Sequence, residues 1–139
     1  MKKLAAVFIG LCFVGGSVSA QCEKKLTITS SKTEYLNEDT AVQRTIEENT
    51  IIEINKPQMI ISPGDKKMVA TIISETCSWK VPFVEGVTVY KVTFEEEAQV
   101  KNATVTIEGK GSLLTMLVTP DGAPYMIRVP IDKFTEKTN

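Results

Sequence analysis

The chain has 139 residues, 16 basic and 17 acidic side chains, a formal net charge of −1, and no histidine. Without histidine, the commonest general base and the commonest zinc or copper ligand are both missing. The charge balance lacks the basic excess that nucleic-acid binding calls for, and aromatics are only 6% with Trp79 the single tryptophan, so there is no stacking platform for a nucleic-acid strand or a long glycan.

Residues 1–20 read as a secretory signal peptide: Lys2 and Lys3, an apolar stretch from Leu4 to about Gly16, and Val18-Ser19-Ala20 as a small-residue cleavage site. The apolar stretch is shorter than the roughly 18 to 20 residues that span a bilayer, and no later segment is apolar for that long, so no membrane span is expected. Cys22 lies one residue past the cut, but lipoprotein signals require a small residue before the cysteine, and Gln21 stands there. The expectation is soluble export to the periplasm or the extracellular space, leaving 21–139 as a single domain. Loss of Lys2 and Lys3 lowers the basic count from 16 to 14 against 17 acids, a mature net charge of −3.

Cys12 leaves with the signal, so Cys22 and Cys77 remain as the two thiols of a chain bound for an oxidising compartment, and a disulfide between them is expected. Their wide separation suits a structural bridge rather than a redox pair, which would need close spacing such as C-x-x-C.

From Lys24 onward the sequence is a succession of short β-rich runs punctuated by turn residues. In chain order the runs are Leu26 to Thr29, Lys32 to Leu36, Val42 to Glu47, Thr50 to Ile54, Gln58 to Ser62, Met68 to Ser74, Ser78 to Val81, Val87 to Phe94, Asn102 to Glu108, Ser112 to Thr119 and Tyr125 to Ile131. Mergers among them leave about eight to ten strands. Ser62-Pro63-Gly64-Asp65 and Thr119-Pro120-Asp121-Gly122 carry turn chemistry, the first as a type II turn with proline at its second position. Glu85-Gly86 and Gly109-Lys110-Gly111 read as further reversals. Hairpin joins of this kind imply antiparallel neighbours. Asp39 to Glu48 could start a short helix with Asp39 as N-cap, and Glu95 to Lys101 is rich in helix formers, but both are expected to make at most single turns; Thr135 to Asn139 is polar and expected to fray.

Period-two alternation turns Ala103, Val105 and Ile107 to one side, and Tyr125, Ile127, Val129 and Ile131 likewise. Thr88, Tyr90, Val92 and Phe94 share a face, as do Leu114, Met116 and Val118. Trp79 projects from the same side as Cys77, two residues before it. The fold class read from this pattern is all-β: an antiparallel meander forming a single small up-and-down or partly open β-barrel, with a two-sheet β-sandwich as the alternative.

With histidine absent and both mature thiols oxidised, catalysis would have to rest on carboxylates, and the densest cluster, Glu95 to Glu97, reads as a solvated loop. No metal-ligand spacing and no cofactor motif is present; Gly109-Lys110-Gly111 is too short to cradle a phosphate. A barrel of about eight strands is just wide enough to hold one small ligand or to be filled by its own side chains. Trp79, Tyr90, Phe94, Met116 and Tyr125 fall on inward rows and are the candidate ligand-binding residues. The leading function is a non-enzymatic binding module for a small apolar or amphipathic ligand. A structural or protein-interaction component of the bacterial envelope comes next, its protein partner not identified by any motif, and a carboxylate hydrolase last.

The Ala20-Gln21 junction, Cys22 just after it, the central Cys77-Ser78-Trp79-Lys80 and the closing Ile131-Asp132-Lys133-Phe134 together resemble small exported proteins of Bacteroidota that bring no assigned activity. Asp39-Thr40-Ala41 resembles the short O-glycosylation motif of exported proteins of that group. The meander of about eight strands is distantly similar to lipocalin-like barrels, although their Gly-x-Trp motif has no counterpart here.

Overall fold

The computed structural model describes residues 25–96, 98–111 and 113–137. The expected signal, its cut after Ala20, Cys22 and Glu97 lie outside the described residues.

Among the described residues, nine strands follow one another: β1 (Lys25–Asn37), β2 (Val42–Asn55), β3 (Gln58–Pro63), β4 (Met68–Val81), β5 (Glu85–Glu96), β6 (Gln99–Lys110), β7 (Leu113–Pro120), β8 (Tyr125–Pro130) and β9 (Lys133–Lys137). Each of β2 to β7 pairs with the strand that follows it, β8 pairs with the second half of β1, and β1 pairs with β2, so eight strands close into an up-and-down antiparallel barrel. Closure settles the choice against the two-sheet sandwich and removes most of the exposed edge that an open sheet would leave. No helix among the described residues is long and apolar enough to cross a membrane.

Three pairs of expected runs merge. The β1–β2 pairing shifts register where Ser30 to Lys32 faces Thr50 to Glu47, the extra residue lying on β2, and the β4–β5 pairing shifts where Ile72 to Ser74 faces Val92 to Lys91, the extra residue lying on β4; none of these strands ends there. The segment from Asp39 does not begin a helix. Asn37, not Asp39, supplies the local side-chain acceptor: its Oδ1 takes the backbone N–H groups of Asp39 (3.0 Å) and Ala41 (2.9 Å), and the chain returns as β2 with Thr40 left-handed at φ 64°. Between β5 and β6 the reversal uses Ala98, also left-handed at φ 64°. The turn after β3 closes one residue later than proline placement implies, with the Lys66 N–H on the Pro63 carbonyl (3.0 Å) and Gly64 at φ 58°.

The C-terminal segment also departs from expectation. Residues 133–137 form β9, paired with Lys25–Thr29 of β1, where β8 no longer reaches. Phe134 anchors it, packing against Phe83 with ring centroids 4.9 Å apart. A polar tail is held here because it completes the hydrogen bonding of a neighbouring strand and partly buries one aromatic ring, Phe134.

Glu34 of β1 and Arg128 of β8 are directly paired and joined by two hydrogen bonds of 3.1 Å, Nε to Oε1 and Nη2 to Oε2. The Arg128 hydrogen bond holds the Glu34 carboxyl below the usual carboxylate range, against the opposing effect of burial. This bidentate pair ties together the two strands that close the ring.

Candidate functional site

Barrel register stacks inward residues in layers, and the layers differ in side-chain size. Toward one end, Ala70 pairs with Phe94 and Val92 with Ala103. Toward the other, Thr88 pairs with Ile107 and Ile107 with Met116, and then Trp79 pairs with Gly86 and Gly86 with Gly109. An interior of eight strands leaves space only where the inward side chains are small. The alanine-bearing end is therefore the hollow one, and the tryptophan-bearing end is filled.

At the filled end, Trp79 lies across two glycines. A Cβ built on Gly86, whose φ is +148°, would stand 2.5 Å from the Ser78 carbonyl oxygen and the Trp79 Cα, and one on Gly109 would stand 2.8 Å from the indole Cζ3. The indole N–H donates to the Thr88 hydroxyl (2.6 Å), which lies 3.3 Å from the Cys77 sulfur. Phe83, left-handed at φ 52° in the β4–β5 turn, folds over the indole at 5.2 Å between centroids and links it to Phe134. Gly86 is thus a strand residue under the indole rather than a turn glycine; the reversal is made by residues 82–84, closed by the Val84 N–H on the Val81 carbonyl (3.1 Å).

Mid-barrel, Tyr90 is buried opposite Glu75, whose Oε1 forms an ion pair with Lys56. Burial first, and the Glu75 carboxylate second, hold the Tyr90 hydroxyl above the ordinary phenol range, so it stays protonated. The second Glu75 oxygen is buried without a hydrogen-bond partner.

At the hollow end is a cavity of about 730 Å3. Val92, Phe94, Ala103, Val105, Val118 and Ile127 make its apolar wall. Tyr35, Asn102 and Tyr125 bring polar groups, while Lys66, Lys101 and Asp121 bring charges. Arg44 stacks over the Tyr35 ring, its Cζ 4.5 Å from the centroid. Asp121 is the one acid among the described lining residues, so no pair of converging carboxylates is formed here. A second hollow of about 700 Å3 involves mainly β4 and β5, through residues such as Val69, Thr71, Thr93 and Glu95. The larger cavity is the better site, since strands from most of the ring contribute to it and core residues form its floor.

The five residues singled out from the sequence separate between these regions. Trp79, Tyr90 and Met116 sit in the packed core at 4%, 2% and 0% exposure, whereas Phe94 and Tyr125 line the cavity. Sequence reading missed Tyr35, Met68, Val100, Lys66 and Lys101 as lining residues. Lys101 faces Phe94 directly across β5 and β6, a signal that appears only once the register is known. Among the described residues, no group of three or more Cys, Asp or Glu side chains could hold a metal ion.

Compared with protein-family models, curated proteins and solved structures, the chain has no match.

Proposed function

We propose that this protein is a non-enzymatic binding module that takes a small apolar or amphipathic ligand into the hollow end of its barrel. One observation carries this reading: the cavity of about 730 Å3 falls inside the range of about 300 to 1,000 Å3 typical of ligand sites, with apolar walls and a few polar groups. A carboxylate hydrolase is disfavoured because the cavity lining holds a single acid among its described residues. An interaction role would draw on the first half of β2, which pairs with β1 alone, but Arg44, Glu47 and Glu48 charge that edge and blunt strand-to-strand docking.

The test uses the neutral dye N-phenyl-1-naphthylamine, whose emission rises in apolar surroundings. One dye per chain should bind, and Ala103→Leu, which fills the cavity from its wall, should weaken it about tenfold, the equivalent of about 1.4 kcal/mol. Binding that ignores Ala103→Leu, or no binding at all to the intact protein, would overturn the assignment. Trp79 is a poor reporter because it lies in the filled end; a Tyr125→Trp variant places an indole in the cavity wall.

We further place the mature protein outside the cytoplasm, with Cys22 as the disulfide partner of Cys77. Intact mass under non-reducing conditions should show a chain beginning at Gln21 with no thiol open to labelling. A lipid-bearing Cys22 or two labelled thiols would refute this.

A further inference from the structure

We infer that the occupant of the cavity is a compact, flat ring system lodged between Tyr35 and Phe94, and not a long extended chain. The inference rests on the cavity reading above and adds the shape of the guest.

The cavity is blind and shallow. On four consecutive strands the deepest lining residue is followed inward by one that belongs to the packed core: Val92 by Tyr90 on β5, Val105 by Ile107 on β6, Val118 by Met116 on β7 and Ile127 by Val129 on β8. Below that layer the far end is sealed by Trp79, which crosses Gly86 and Gly109. On β6 the wall extends from Lys101 near the mouth to Val105 at the floor. That length of strand rises about 13 Å, and a tilt of roughly 35 to 45° reduces it to about 10 Å along the barrel axis.

Its width comes from small side chains. Ala70 and Ala103 stand in the wall where larger residues would close it. A volume of about 730 Å3 over that depth leaves a mean cross-section of about 70 Å2. One extended hydrocarbon chain, whose width is set by carbon contacts of about 4 Å, fills roughly a quarter of it. A chain takes up the rest only by doubling back, which freezes its rotatable bonds, whereas a fused ring arrives already rigid. The aromatic walls favour the same shape. β1 and β5 lie opposite one another in the eight-strand ring, so Tyr35 and Phe94 stand on opposite sides of the cavity. Arg44 covers one face of the Tyr35 ring, and a guest meets the other face or the edge. A flat ring between them gains offset or edge-to-face contacts that an alkyl chain does not make.

The experiment uses neutral probes at pH 7, so that charges around the mouth do not decide the result, and each probe displaces N-phenyl-1-naphthylamine from the full mature chain. In the series from 1-hexanol to 1-dodecanol, affinity should rise about fourfold per methylene as far as octanol, whose chain matches a depth of about 10 Å, and little beyond it. 2-Naphthol should bind more tightly than 1-decanol, which has the same number of carbons and more apolar surface to remove from water. Phe94→Leu should lower the ratio of 2-naphthol affinity to 1-octanol affinity about fivefold. The ratio is the quantity to read, because partial unfolding would lower both affinities alike. A ratio unchanged by Phe94→Leu would overturn the placement of the ring against Phe94. Affinity that keeps climbing to dodecanol, or 2-naphthol weaker than decanol, would overturn the ring assignment and leave the cavity reading standing. Failure of the dye itself to bind would remove both.

Discussion

Gly86→Ala should destabilise the barrel by roughly 2 to 5 kcal/mol, combining the cost of overpacking with that of a backbone conformation that suits glycine. Its new methyl group would meet the Ser78 carbonyl oxygen and the Trp79 Cα at 2.5 Å, and these are main-chain atoms of the paired strand that cannot move aside independently. Gly111→Ala and Gly122→Ala are the matched comparisons. Both positions have positive φ, +67° and +75°, but an added Cβ there meets nothing within 4 Å, so each should cost about 1 to 2 kcal/mol from backbone strain alone. Urea unfolding of the three variants separates steric from conformational cost. If Gly86→Ala is no worse than the other two, β4 does not press on β5 as the structure has it.

Trp79→Ala should cost about 3 to 5 kcal/mol, the usual range for emptying a large aromatic site. Against a typical domain stability of about 5 to 15 kcal/mol, the variant would sit close to the edge of folding. The loss has several parts. The indole fills the end of the barrel, packs on Phe83, and through Phe83 connects to Phe134 on β9; its N–H also satisfies the Thr88 hydroxyl. Trp79→Phe should therefore fall between wild type and alanine, keeping part of the ring contact while giving up the hydrogen bond. A coupling experiment adds specificity. Gly109→Ala is opposed by the indole Cζ3 at 2.8 Å and the Val84 carbonyl oxygen at 2.9 Å, so it should be better tolerated once Trp79 is alanine. Additive losses measured by urea unfolding would show that indole and glycine do not share a site.

The glycines show why the site was only partly legible. In the sequence Glu85-Gly86 and Gly109-Lys110-Gly111 look like turn punctuation, and Gly111 does serve as such. Gly86 and Gly109 instead belong to strands and make room for a tryptophan that reaches them from β4 across the register. No local pattern distinguishes these uses, because the atom that excludes a side chain belongs to another strand. Tyr35 illustrates a second obstacle. Leu26 and Ile28 of β1 are core residues, and unbroken alternation would turn Glu34 and Leu36 inward with them. The bulge between Ser30 and Lys32 shifts the phase, which places Tyr35 in the cavity wall.

By itself, the sequence determined the strand content, most of the hairpin positions and the inward rows of the uninterrupted strands, because β propensity, turn chemistry and period-two alternation act over a few residues. Val105 and Ile107 are buried on the face that their alternation assigns them, and Phe94 shares a face with the core residues Tyr90 and Val92. Tertiary structure alone decided that the ring closes, that residues 133–137 join it, and that the two ends differ, one sealed by Trp79 and Phe83 and the other open around Phe94 and Tyr125. The physical reason is that filling a barrel depends on the summed size of side chains meeting in one layer. Those side chains come from strands far apart in the chain, brought level only by the register that folding selects.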